Sequence, residues 1–305
     1  MEEGDMTSRP HPADDQKTSQ PPRVGRAEGC IAPATSIGDA FNILSSAATG
    51  EALKRVRELN SNSEPEVLHK LRVALRRLRT LWWVFQPLLD KQDARSHRGE
   101  FKSLAAAAGK TRDWDVLREL LSAAPSGDSF EALIARVDQH RSSALAFSNR
   151  IIGNAGVERI VEHAVRVARN QIEAQTTPMR LDEFATTRAG RAEVMLKKRI
   201  KRVASNPNAD YADLHEIRIA GKRLRYSLEF LAPVLDGHYL ATIERLAQVQ
   251  QQLGDLNDLV TGETLLREYA FQLGESHASK KAIKYLEEQQ RLRKIAAHDM
   301  LRANF

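Results

Sequence analysis

From Ile37 to the end of the chain, apolar residues recur at intervals of three and four positions, the spacing of one face of an α-helix. Alanine, leucine, glutamate, arginine and lysine dominate this region, and no segment shows sustained alternation of apolar and polar residues. The pattern predicts an all-α body. Its helices are predicted at residues 37–60, 66–88, 97–123, 128–175, 180–204, 211–234, 238–272 and 276–302. The fourth is predicted to break or kink at Gly153, Asn154 and Gly156.

Residues 1–36 differ from the rest of the chain. They are rich in proline, serine, aspartate and glutamine and poor in large apolar residues, which predicts a disordered tail. They contain no apolar segment typical of a signal peptide, and no run in the chain approaches 18 apolar residues. The single cysteine, Cys30, excludes an internal disulfide and a cysteine-based metal site. We therefore expect a cytoplasmic protein that does not span a membrane.

An internal repeat organises the predicted body. The segment VLHKLRVALRRLRTLWWVFQPLLD, residues 67–90, aligns without a gap on DLHEIRIAGKRLRYSLEFLAPVLD, residues 213–236, at a shift of 215 − 69 = 146 residues. Further along, LAAAAGKTRDWDV (104–116) aligns with VQQQLGDLNDLV (249–260), which places Gly109 on Gly254. The repeat predicts two pseudo-symmetric four-helix bundles, residues 37–176 and 177–305, with antiparallel neighbouring helices around a shared basic cleft.

The repeated helix carries an unusual concentration of positive charge. Residues 69–79 include five cations and one histidine but no acid. At 100° per residue, four of them fall within roughly 80° of one another on one side of the helix. We call His69, Arg72, Arg76 and Arg79 the first stripe and the aligned His215, Arg218, Lys222 and Arg225 the second stripe. Arg77 and Arg223 lie beside the stripes in their respective copies.

Such rows of like charge destabilise an isolated helix, and a bound polyanion would relieve the repulsion. Arginine suits phosphate because its planar fork donates paired, charge-assisted hydrogen bonds, and a protonated histidine could donate as well. The alternative is a solvated basic face, with His69 and His215 bonded to backbone carbonyls and Arg77 and Arg223 at the surface. Tyr226 is expected to pack, and Glu229 to pair with Arg225 one turn earlier.

Four polar residues fall where each third helix would meet a basic helix: Asp113, Asp115, Asn257 and Asp258. They could orient an arginine or a histidine, or they could cap a kinked helix. The chain offers no convincing metal-binding cluster or catalytic nucleophile, so neither a metal site nor catalytic residues are predicted.

The net charge of +6 indicates attraction to polyanions without choosing among them. Three functions remain open. The first is non-catalytic binding of inorganic polyphosphate, and the second is binding of nucleic acid. The basic stripes have few aromatic neighbours on which bases could stack, and no helix–turn–helix signature is present, which weighs against the second. The third is an enzyme that processes phosphoanhydrides.

The motifs LHKLRVALRRLR, LHEIRIAGKRLRYSLEF, AGKTRDWDVL and LGDLNDLV resemble, in order, spacing and duplication, those of the CHAD domains (conserved histidine α-helical domains). The resemblance covers about residues 37–305. It implies two helical bundles with a shared basic cavity that binds inorganic polyphosphate, with no catalysis and no cofactor. Association with polyphosphate granules and affinity for other polyanions follow as expectations. The ligands that it implies are His69, Arg72, Arg76, Arg77, Arg79, His215, Arg218, Lys222, Arg223 and Arg225.

Overall fold

The structure is a computed structural model that describes residues 31–61, 64–125, 127–175, 179–206, 209–235, 239–274 and 277–304. Within these ranges the chain forms α-helices and short 3-10 turns but no strand, which confirms the all-α prediction. The helices are α1 (Ile37–Ser61), α2 (Pro65–Val84), α3 (Lys91–Ala107), α4 (Lys110–Ser122), α5 (Glu131–Asn154), α6 (Val157–Glu173), α7 (Leu181–Ala204), α8 (Tyr211–Leu231), α9 (Tyr239–Glu268), α10 (Ala270–Leu273) and α11 (His277–Asn304).

The two basic helices, α2 and α8, end in the same way. Each is followed by a 3-10 turn with a proline in its first positions, at Gln86–Leu88 and Ala232–Val234. Each turn is followed by a leucine in extended conformation, Leu89 or Leu235. Proline lacks the N–H that would continue the helix, so the same residue at the same spacing stops both. The local backbone thus repeats along with the sequence.

The prediction of one continuous helix over residues 97–123 was wrong. The chain instead forms α3 and α4, which are separated at Ala108 and Gly109, whereas the aligned Gly254 lies inside the continuous helix α9. A contact of Gly109 with α2, described below, accompanies the break. The predicted break near Gly156 is confirmed: α5 ends at Asn154, and Gly156 adopts a left-handed conformation, φ 61°, before α6. Glycine tolerates this conformation because it has no Cβ.

Two hydrophobic cores hold the helices together. The larger one includes buried residues of α1, α2, α3, α6, α7 and α8, with Trp82, Phe41 and Phe85 in edge-on aromatic contact at its centre. The smaller one joins α4 and α5 to α9, α10 and α11, for example through Leu117 and Leu286. Both cores take side chains from residues 37–176 and from residues 177–305. The predicted division of the sequence therefore does not coincide with a division of the core.

The start of the folded body differs from the prediction. Residues 1–30 of the predicted disordered tail lie outside the described residues. Ile31, however, is buried in the larger core, and the Ser36 hydroxyl accepts a hydrogen bond from the Asp39 backbone N–H at the start of α1. A serine in this position satisfies one of the free N–H groups of the first helical turn. The ordered chain thus begins before Ile37.

Candidate functional site

Helices α2 and α8 pack against each other and bring the two stripes together. Every predicted ligand is partly buried, and none is either fully exposed or fully enclosed. By contrast, Lys70 on α2 and Glu216 on α8, which occupy aligned positions, are both exposed. The predicted ligands are therefore less exposed than these neighbours on the same helices.

A pocket lies between α2, α3 and α8. Among the described residues, its lining contains six cations and no acid: Arg76, Arg79, Arg98, Arg218, Lys222 and Arg223, together with Thr80, Trp83, Ile219 and Tyr226. Five of the six cations are among the predicted ligands. Arg98, on α3, is not, because it lies outside the repeated motif and nothing local distinguishes it from other surface arginines. Tyr226, expected to pack, lines the pocket as well.

Crowding of like charge and removal from water both disfavour the protonated forms of these cations. Burial, with help from Arg76, Arg218 and Arg225, lowers the pKa of Lys222 to about 6. Burial also lowers the pKa of Arg76 to about 10, and the nearby Arg72 and Arg218 act in the same direction. The free pocket therefore holds positive charge at an energetic cost that a bound anion would offset.

The two residues beside the stripes make reciprocal contacts across the α2–α8 interface. The guanidinium carbon of Arg77 lies 5.2 Å from the centre of the Phe230 ring, and that of Arg223 lies 5.0 Å from the Trp83 ring. These are cation–π distances. Arg77 also lies 3.6 Å from a carboxylate oxygen of Glu229. These contacts join α2 to α8. Arg77 therefore lies in the interface between the two helices and not at the free surface.

Glu229 of α8 contacts one arginine from each copy of the repeat. Besides Arg77 it contacts Arg225, whose Nε lies 3.2 Å from a carboxylate oxygen, so the predicted pair one helical turn apart is confirmed. Burial raises the pKa of Glu229, and the two arginines oppose that shift. This carboxylate offsets positive charge at the Arg225 end of the second stripe.

Arg72 reaches the junction of α3 and α4. Its Nη1 donates to the carbonyl oxygen of Gly109 at 3.1 Å and lies 3.5 Å from Asp113 Oδ1. A Cβ on residue 109 would lie 2.0 Å from Arg72 Nη1, closer than any two such atoms can approach. Glycine at this position therefore makes room for the arginine, whereas nothing lies within 4 Å of a Cβ built on Gly254.

The two histidines occupy different surroundings. His69 Nδ1 is buried and has no hydrogen-bond partner among the described residues. His215 Nδ1 lies 3.1 Å from the Tyr211 hydroxyl, which donates to Asn257 Oδ1 at 3.1 Å. Burial lowers the pKa of each imidazole. Arg112 and Arg72 act in the same direction on His69, against Glu66, and Arg218 does so on His215. Neither His69 Nδ1 nor His215 Nδ1 bonds to a backbone carbonyl.

The polar residues of the third helices divide into two groups. Asp113 contacts Arg72, and Asn257 orients the Tyr211–His215 pair while donating to Asp258 at 3.4 Å. Asp115 instead pairs with Arg141 of α5, away from the stripes. Asp113 and Asn257 are therefore placed to orient an arginine or a histidine, whereas Asp115 is not.

The described residues also bear on metal binding and on membrane insertion. No group of three or more histidine, cysteine, aspartate or glutamate side chains in these ranges could hold a metal ion. Within the same ranges, none of the helices is both long and apolar enough to cross a lipid bilayer.

Fold and site together define an all-α protein with a half-buried cationic pocket between two repeated helices. A family model described as the CHAD domain matches residues 46–267, and because this match spans most of the chain, the protein belongs to the CHAD domain family. Comparison with curated protein sequences gave no match.

Two solved structures share the fold. The crystal structure of the CHAD domain from the plant Ricinus communis is similar with a TM-score of 0.79 and 24% identity, over 92% of this chain and 96% of that chain. PptA from Streptomyces chartreusis is similar with a TM-score of 0.66 and 19% identity, over 88% of this chain and 99% of that chain. At these identities the similarity concerns the fold alone.

Proposed function

We propose that this protein binds inorganic polyphosphate between α2 and α8 and catalyses no reaction on it. The observation that carries the proposal is the pocket lined by six cations and no acid. Taking one such ion out of water usually costs several kcal/mol. The described residues provide too few carboxylates here to offset this cost. A polyanion that enters the pocket supplies the missing charge.

The density of the positive charge favours polyphosphate over nucleic acid. In polyphosphate, one bridging oxygen separates successive phosphates, whereas a sugar separates them in a nucleic acid. Arg76, Arg218 and Lys222 lie close enough to shift one another's pKa, so they present several charges over a short length. Arginine and lysine can each donate several hydrogen bonds to the non-bridging oxygens.

The acids near the pocket support a binding role. Asp113 lies against Arg72, and Glu229 lies against Arg77 and Arg225. Each of these carboxylates thus neutralises an arginine. Because they hold ligand-binding side chains in place, we assign them to the architecture of the pocket.

A titration with polyphosphate of defined length tests the proposal, with Arg76→Gln and Lys222→Gln as variants and Lys70→Gln as the control. Lys70 lies on the same helix but is exposed. We expect tight binding by the wild type and the control and a clear loss in the two variants. Competition by DNA, RNA and ATP should be weak. Equal competition by DNA, or phosphate release in the presence of magnesium, would contradict the proposal.

A further inference from the structure

The positive charge of the site is offset at some positions and not at others. Carboxylates contact Arg72, Arg77 and Arg225, through Asp113 and Glu229. In the part of the chain that the structure describes, no salt bridge reaches the remaining cations of the pocket: Arg76, Arg79, Arg98, Arg218, Lys222 and Arg223. Acids therefore offset the charge at different positions in the two copies, although the sequence repeats.

The difference is sharpest between the aligned residues Arg79 and Arg225, which end the two stripes. Arg225 lies 3.2 Å from Glu229. Arg79 instead lies near Arg98 of α3, and both line the pocket. Arg98 donates to the neutral side chain of Gln86 at 3.3 Å, which leaves its charge intact. Arg79 therefore has a cation as its neighbour, whereas the aligned Arg225 has an acid.

A buried arginine adds to the charge behind this end. Arg188 of α7 is 5% exposed, and its Nη2 donates to the Trp83 carbonyl oxygen at 2.6 Å. Its guanidinium carbon lies 4.4 Å from the Trp83 ring, and that of Arg223 lies 5.0 Å from the same ring. Arg188 Nε is buried without a hydrogen-bond partner among the described residues. The Trp83 wall of the pocket is thus backed by a cation that has no carboxylate partner.

We propose that Arg79, Arg98 and Arg223 form an end subsite that binds the terminal phosphate of a polyphosphate chain. This inference rests on the proposed function. A terminal phosphate has three non-bridging oxygens and takes up to two negative charges, since its second pKa is about 6. An internal phosphate has two such oxygens and one charge. The terminal group therefore gains most from a cluster of guanidinium groups that no acid offsets.

The position of α3 fits a chain end. The first stripe runs along α2 and ends at Arg79, beside which α3 packs and places Arg98. A chain that follows the stripe therefore meets α3 at this point. Beside Arg225, which ends the second stripe, Glu229 would repel a doubly charged terminal group. The asymmetry gives the bound chain one preferred orientation of its terminus.

The test compares polyphosphate of one length with free ends and with both ends blocked as alkyl esters. We expect the wild type to bind the free-ended chains more tightly. Arg98→Gln should weaken their binding by roughly tenfold, the effect of one charge-assisted hydrogen bond, and change the binding of blocked chains little. Lys70→Gln is the control, because Lys70 lies on α2 but is exposed and does not line the pocket. It should not alter the preference between the two probes.

The outcomes separate the two proposals. Equal wild-type affinity for free and blocked chains, or an equal loss for both in Arg98→Gln, would overturn the end subsite and leave polyphosphate binding intact. No wild-type binding of either chain would overturn polyphosphate binding itself. Arg98 is only partly buried, and a melting curve of the variant would show whether a loss of affinity reflects unfolding.

Discussion

Arg72 occupies the space that a side chain on Gly109 would need. Its Nη1 donates to the Gly109 carbonyl oxygen at 3.1 Å, and a Cβ on residue 109 would lie 2.0 Å from the same nitrogen. One predicted ligand on α2 is therefore positioned by the junction of α3 and α4. The aligned pair in the second copy, Arg218 and Gly254, has no such relationship, because nothing lies within 4 Å of a Cβ on Gly254.

The first prediction concerns this contact. Gly109→Ala should displace the Arg72 guanidinium and weaken polyphosphate binding by roughly tenfold, the effect of one charge-assisted contact. Stability should change by less than about 1 kcal/mol. The backbone at residue 109, φ −97° and ψ −9°, is open to alanine, and the clash involves mainly the end of a flexible side chain. Titration and thermal melting measure the two effects.

Gly254→Ala is the matched control for that experiment. Residue 254 lies inside α9, where alanine is favoured over glycine by about 1 kcal/mol, so stability should rise and affinity should stay unchanged. Equal affinity of the two variants would show that the position of Arg72 does not matter for binding.

The second prediction concerns Lys222. Its pKa of about 6 in the free protein, set by burial and by Arg76, Arg218 and Arg225 against the weaker attraction of Asp258, should rise when a polyanion binds. Binding then takes up a proton, so affinity should fall as pH rises above about 6, by at most tenfold per pH unit. Calorimetry at pH 7 in buffers of different ionisation enthalpy measures the uptake.

Lys222→Arg tests the assignment of this proton. Arginine keeps the charge and stays protonated in this range, so proton uptake should decrease while tight binding remains. Polyphosphate chains with both ends blocked as alkyl esters are the appropriate ligand, because they carry no terminal group that titrates in this range. Unchanged uptake in the variant would place the proton on another group.

The third prediction concerns His69 and His215. Burial and neighbouring arginines lower the pKa of both imidazoles, so both are neutral in the free protein at pH 7. If they contact phosphate as imidazolium, binding raises these pKa values, and affinity should increase as pH falls through the range near 6.5. Replacing both by glutamine in the Lys222→Arg background should flatten the remaining pH dependence between pH 5.5 and 8.5.

A structural role for the histidines gives a different result. His215 Nδ1 contacts the Tyr211 hydroxyl, so loss of the ring would then lower the melting temperature while the pH profile of binding stayed the same. Melting curves recorded beside the titrations distinguish the two roles.

The fourth prediction concerns ionic strength. Binding through ion pairs should make log K fall linearly with log salt. Arg76→Gln should reduce the slope by about one, because Arg76 lines the pocket and has no carboxylate partner in the described ranges. Lys70→Gln should leave the slope unchanged, since Lys70 is exposed and lies 3.5 Å from Glu66. Identical slopes in all three proteins would place the ligand elsewhere.

The sequence alone determined the class of fold, the repeat and the basic faces of α2 and α8. These features depend on local physics. Periodic apolar residues fix the buried face of a helix, a proline stops it, and glycine permits the turn at Gly156. The pairing of Arg225 with Glu229 was predictable for the same reason, because the two lie one turn apart.

Only the tertiary structure decided which of the repeated charges are offset. Arg98 reaches the pocket because α3 packs beside α2, and Arg77 meets Glu229 because α2 packs against α8. The Arg72–Gly109 contact likewise joins residues 37 positions apart. Residues this far apart meet through helix packing, which the spacing of apolar residues does not specify. The last cations of the two stripes therefore have different neighbours, although the two copies carry nearly the same charges. The electrostatic energy of each cation depends on residues that other helices bring close to it.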